Sequence, residues 1–243
     1  MLVARRTLLV AGLALGLALP AALPAQAKTP PNMLVMAKSI SDLITLDPAE
    51  VFELTGGEVI GNVYDRVMMF EAEDLTTLVG GITESHKVSA DGKTITFKIR
   101  AGQTFHSGNP VTAEDAEFSL RRVMYLNKTP AFILTQFGWS KDNVDAHIMA
   151  TDSMTLVVKN NSDFSAGLLL NALSAGVGSV VDKKIVMSHV ADGDYGYGWL
   201  KNHSAGSGPF SVKTWKANEL VSLEANAKHR HGAPAMKKVL LRH

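Results

Sequence analysis

The sequence predicts a mixed α/β (α+β) fold, on three observations: a hairpin pattern, a capped amphipathic helix just after it, and strand-like segments near the end. Strand and helix signals alternate irregularly, so a mixed sheet is expected rather than repeated βαβ units. Residues 87–89 and 94–100 alternate in polarity about Asp91-Gly92. An Asp-Gly pair in that setting is the strongest short hairpin signal, because glycine accepts the positive φ of a tight turn. Ser107-Gly108-Asn109-Pro110 are turn residues, and Thr112 then predicts a helix N-cap with Asp115 at the capping-box position. Glu114 and Asp115 both suit the positive end of that helix. Ala116, Leu120, Val123 and Met124 fall at i, i+4, i+7 and i+8, one apolar face.

The other elements follow in chain order. Residues 32–38 read as a first strand, and 40–48 as the loop leaving it through Leu46-Asp47-Pro48. Val59, Ile60, Val63, Tyr64 and Val67 have helical spacing and predict a helix over 55–70 that packs on the sheet. Residues 153–160 alternate as a strand, and 164–173 form an apolar helical run. Residues 193–200, GDYGYGWL, read as a glycine-aromatic loop, and 210–215, 219–225 and 237–242 as successive strands. Between 124 and 152 the signals are mixed.

Arg5-Arg6, the apolar run 8–19 and the small residues Ala25-Gln26-Ala27 describe a secretory signal peptide over residues 1–27. The run is too short for a comfortable membrane span. Cleavage after Ala27 is expected, by the general secretory route, since the residues around the paired arginines fit a twin-arginine signal poorly. Of 24 basic and 23 acidic residues, the signal removes Arg5 and Arg6, leaving 22 against 23 and a mature charge near −1. Such balance gives no reason to expect nucleic acid or anionic lipid as a partner. The chain has no cysteine, which excludes a disulfide framework, a thiol nucleophile, a zinc-cysteine site and a lipidated N-terminus. A periplasmic protein stabilised by its apolar core is expected.

No catalytic constellation emerges, and the protein is not expected to be an enzyme. There is no Gly-x-Ser-x-Gly elbow, and Gly206-Ser207-Gly208-Pro209 reads as a turn because Pro209 and Phe210 continue into a strand. Glu114 and Asp115 are helix neighbours that diverge, so they make no acid pair. No phosphate loop is present, which excludes a P-loop ATPase. His229 and His231 would share one face of an extended segment, but Arg230 between them argues against a cation. His106 reads as a structural turn residue. No metal or cofactor is expected.

The order DGKTITFKIR, AGQTFHSG, PVTAEDAEFSLRR resembles the signature of the family 5 extracellular solute-binding proteins, the dipeptide, oligopeptide and nickel receptors of bacterial ABC importers. Gly206-Ser207-Gly208-Pro209-Phe210, Trp215, Leu223-Glu224-Ala225-Asn226 and Gly232-Ala233-Pro234 resemble the family's later segment. The resemblance implies a periplasmic binding protein-like type II lobe with a mixed sheet, residues 28–243 forming the N-terminal lobe and the second lobe largely missing. Members of the family are about twice this length, so a fragment, a truncated reading frame or a shortened relative is expected. The strand-like KKVLLRH stops without a cap, leaving its strand in want of neighbours.

As implied site, the resemblance places Ser39, Ile40 and Ser41 in the loop after the first strand, which runs on to Asp42. It adds Thr55, Gly56 and Gly57 in a turn, and Phe137 and Trp139 in a Phe-Gly-Trp loop. An equal alternative makes Phe137 and Trp139 core anchors. The carboxylate that pairs with a peptide's amino terminus belongs to the family's second lobe and has no counterpart here. The implied function is substrate capture for an ABC importer, with a peptide or other small molecule as ligand, permease subunits as partners and a monomeric state. Whether the ligand is a dipeptide, a longer peptide, a nickel chelate, an opine or a sugar stays open. The competing readings are an exported hydrolase and a shortened single-lobe interaction module.

Overall fold

The computed structural model describes residues 29–71 and 73–243; the expected signal peptide lies outside the described residues. In chain order the elements are β1 (Met33–Ala37), α1 (Leu54–Val63), β2 (Met68–Phe70), β3 (Leu78–Gly80), β4 (Thr83–Val88), β5 (Thr94–Ile99), α2 (Ala113–Leu126), α3 (Phe132–Thr135) and α4 (Val144–His147). They continue with β6 (Ile148–Asp152), β7 (Thr155–Lys159), α5 (Ala166–Ala172), α6 (Lys183–Met187), α7 (Tyr197–Leu200), β8 (Phe210–Lys216), β9 (Leu220–Ala225) and β10 (Lys238–Arg242). Among the described residues no helix is long and apolar enough to cross a membrane.

The predicted hairpin forms. Val88 pairs with Ile95, Gly92 takes φ +70°, and its N–H donates to Ser89 O at 2.9 Å. The Asp91 carboxylate accepts from Lys93 N at 3.0 Å and clamps the turn. Alternation then does its work: Ile95, Phe97 and Ile99 of β5 are buried while Lys98 faces water. β4 and β5 belong to an antiparallel sheet of order β4-β5-β7-β6, with β2 and β3 pairing apart from it. α2 lies on β6 and β7, and its predicted face is closed, with Ala116 and Leu120 at 0 % exposure and Val123 and Met124 at 2 %. Burying a side chain of that size is worth roughly 1.5–3 kcal/mol. The Asp115 carboxylate accepts from Thr112 N at 2.9 Å, so the capping position holds as predicted.

A second sheet has the order β1-β10-β9-β8, and in it β10 is parallel to β1 and antiparallel to β9. β10 is therefore an interior strand, correcting the expectation that it would lack neighbours. The predicted helix over 55–70 ends at Val63, because the chain turns at Tyr64 and Met68–Phe70 pairs with Leu78–Gly80 instead. Val67 keeps its predicted burial outside the helix, in the bend before β2.

Each main sheet has its own core. One contains Phe97, Leu120, Leu134, Phe137, Trp139 and Leu156, and the other Ile40, Val59, Ile60, Tyr64, Val221 and Leu241. Buried and half-buried polar groups join them, and most belong to the signature stretch. Gln103 donates to Asp65 at 2.9 Å, His106 N to Gly206 O at 2.9 Å, and Asn109 to Asp182 at 2.9 Å. From α2, Ser119 Oγ accepts from Val181 N at 2.9 Å. Arg122 donates to both oxygens of Asp47 at 2.7 and 2.5 Å. The residues that carry the family signature thus form the seam between two cores. Gly206 sits in that seam because a Cβ there would lie 2.0 Å from Val63 O.

Candidate functional site

The loop after β1 is shaped by one buried residue. Lys38 N still reaches Arg242 O at 2.9 Å, after which Ile40 turns inward to 1 % exposure and its N–H donates to His243 Nδ1 at 3.2 Å. With Ile40 plugged into the core, Ser39 and Ser41 on either side stay exposed, their hydroxyl oxygens 3.0 Å apart. Asp42 then accepts from Thr55 N at 3.0 Å and ties the loop to the first turn of α1. Hydrogen bonds from the side chain and backbone of Thr55 hold the Asp42 carboxyl below its ordinary value. One turn further on, Lys38 Nζ meets Glu58 Oε2 at 2.5 Å.

Beside these polar groups the chain exposes apolar side chains. Phe52 and Leu54 flank Glu53 on the approach to α1, with exposures of 54 % and 89 %. Phe132, at the start of α3, is 56 % exposed and meets Phe52 edge to face, ring centroids 5.5 Å apart. Large apolar groups so exposed make this approach to α1 the candidate for a binding surface.

Among the residues implied by resemblance, Ser39, Ser41 and Gly57 are exposed on this surface, while Ile40, Thr55 and Gly56 are buried behind it as its supports. A Cβ on Gly56 would meet Val51 Cγ1 at 2.7 Å, so that glycine serves close packing. Phe137 and Trp139 are not brought to the site. They lie in the other core at 0 % and 2 % exposure, and the Trp139 indole N–H donates to Lys159 O at 2.8 Å. These two are core anchors, which settles the alternative that the sequence left open. Phe52, Leu54 and Phe132 escaped sequence reasoning. For Phe52 and Leu54 the signal was an apolar pair at i, i+2 spanning the start of α1.

The histidines are structural or exposed. His106 Nε2 lies 3.0 Å from Gly208 O, and burial holds its pKa below the ordinary histidine value. The rings of His229 and His231 are 5.5 Å apart and tilted, with Arg230 between them in sequence. Among the described residues no three His, Cys, Asp or Glu side chains are grouped to hold a metal.

Two sheets with covering helices, joined at a polar seam, thus present a mixed polar and apolar surface where β1 meets α1. Residues 77–243 match the bacterial extracellular solute-binding proteins, family 5 (middle), and the chain belongs to that family. It is 29 % identical over 218 residues to the probable D,D-dipeptide-binding periplasmic protein DdpA of Escherichia coli K12, covering 88 % of this chain and 40 % of that protein. Among solved structures it resembles the binding protein MoaA of A. tumefaciens R10 in complex with mannopinic acid. There the TM-score is 0.71 at 24 % identity, over 87 % of this chain and 40 % of that one. It also resembles the periplasmic binding protein DppA of Helicobacter pylori in complex with the peptide STSA, with a TM-score of 0.71 at 23 % identity over 86 % and 42 % of the two chains. The chain thus spans about 40 % of the length of the relatives it matches. Both structural likenesses speak to fold alone.

Proposed function

We propose that this chain supplies one wall of the ligand cleft of a periplasmic receptor for peptides, serving an ABC importer. The observation that carries this reading is the exposed Phe52–Phe132 ring pair together with exposed Leu54 at the start of α1, whose first turn Asp42 ties to the Ser39–Ser41 loop. A peptide needs partners for its backbone and room for varied side chains. Serine hydroxyls and loop backbone serve the first need, and the aromatic and aliphatic wall the second. The mechanism is differential affinity: ligand favours a closed state only through contacts that a second surface adds, after which the closed receptor is presented to permease subunits.

The test is an NMR titration of the chain with di- to tetrapeptides. Amide shifts are expected at Ser41, Phe52, Leu54, Thr55 and Phe132, with a Kd of about 1 mM or weaker for this single wall. Leu54→Asp should abolish them while leaving the thermal melt unchanged, since Leu54 buries little. Shifts confined to other regions, or turnover of peptide and ester substrates, would sink the proposal.

A further inference from the structure

A cavity lies away from the Ser39 surface. It is a groove of about 880 Å³ at the far end of α1, reached past Gly61 and Tyr64 and walled by the β2–β3 hairpin, β4 and the 229–231 loop. The length of α1, about 15 Å, separates the two sites.

The groove's lining combines two guanidinium groups with one buried and three exposed carboxylates. Arg100 and Arg230 both line the groove, and the one buried carboxylate between them is Asp65, at 2 % exposure. Asp65 Oδ2 is already occupied by Gln103 and Ser207, at 2.9 and 2.8 Å. Its Oδ1 stands 3.6 Å from both His229 Nε2 and Arg230 Nε, within ion-pair reach but beyond a hydrogen bond. Among the described residues Arg230 Nε, Arg100 Nε and His229 Nε2 are buried without an acceptor. The side chain of Arg230 is nine-tenths buried, and its Nη2 rests 2.9 Å from Met69 Sδ, a weak acceptor. Burial disfavours the charge on Arg230, Asp65 supports it and Arg100 opposes it. Buried donors left unmade are costly, and a planar oxyanion is the partner a guanidinium fork matches.

The remaining walls set the rest of the ligand. Met69, Leu78 and Val79 give an apolar flank, while Glu71, Glu73 and Glu84 stand exposed at the mouth. Those glutamates oppose a multiply charged anion entering past them.

We propose that the groove is a second binding site, for a small organic monocarboxylate whose head pairs with Arg230 and Arg100 and whose apolar body lies on Met69, Leu78 and Val79. The site stands independently of the peptide surface at the other end of α1.

Titration of the full chain with sodium hexanoate, followed by amide and arginine Nε–H shifts, tests it. Saturable binding with a Kd of about 1 mM is expected, with shifts at Arg230 and Val79. Hexylamine, with the same body and opposite charge, should not bind, and inorganic phosphate should bind at least about tenfold more weakly. Arg230→Gln should weaken hexanoate at least about tenfold while peptide shifts at Leu54 persist. Should that variant lose its cooperative melt, Val79→Glu replaces it, with the same loss expected. Leu54→Asp should leave hexanoate binding as it was, so that failure of one site is distinguishable from failure of the other. Absence of saturation up to about 20 mM hexanoate, equal binding of hexylamine, or unchanged affinity in a folded variant would each overturn the proposal.

Discussion

At Arg122 the Nη1 and Nη2 nitrogens are spent on Asp47 and Nε on the Tyr195 carbonyl, at 2.7 Å. Asp47 and Arg122 are 0 % and 1 % exposed, so neither charge can turn to water if its partner is lost. Replacing a buried pair by apolar groups is often neutral, whereas removing one member strands the other. Arg122→Met is therefore expected to cost about 3–5 kcal/mol in urea unfolding, and the double variant with Asp47→Leu to recover part of it. Asp65 governs acid sensitivity in a similar way. Burial pushes its carboxyl up, but the pull of His229, the Ser207 hydroxyl and the charge of Arg230 bring it below its ordinary value. A depressed carboxyl contributes stability that is present above its unfolded pKa, about 3.9, and lost as pH falls through the folded value. The stability gap between the parent chain and Asp65→Asn should be full at pH 6 and shrink below about pH 4. A gap independent of pH would contradict this.

Helix α2 and the loop before it explain why a local signature can be both good folding logic and a poor guide to function. Asp115 caps the helix through Thr112 N, and its other oxygen accepts Lys183 N at 3.0 Å from across the seam. Asp115→Ala should thus cost about 2 kcal/mol, more than a surface cap, and the double variant with Thr112→Ala little further. An equal cost for Glu114→Ala, which lies outside this pair of bonds, would refute the assignment. The hairpin, α2, β7 and the last three strands were legible because each carries its own periodicity and turn residues. β2, β3 and β6 were not, for they are short and take their state from pairing: Met68–Phe70 sat within a helical spacing, yet Met68 pairs with Gly80. For the proposed site, the family resemblance pointed to Ser39–Ser41 and Thr55–Gly57, of which Ser39, Ser41 and Gly57 are exposed. Phe137 and Trp139 misled because an aromatic loop signal is the same for a cleft wall and a core anchor, and only burial tells them apart.

On the scale of the whole molecule, the two cores differ in how the chain reaches them. The first draws its members from 49 to 180, nearly one continuous stretch, while the second combines residues 40–64 with 181–241. Native-state hydrogen exchange should accordingly find β5 and β7 protected as one unit and β1, β9 and β10 as another. Equal protection throughout would argue for a single cooperative body. The pairing of Met33 with Lys238 and of Ala37 with Arg242 closes a loop of some two hundred residues. As the chain emerges from a ribosome or a membrane pore, the first strand must wait for the last, while the continuous core can already condense. The parallel contact of β1 with β10 is thus a clock as well as a bond: it makes completion of the loop at Ser39 one of the final events in folding.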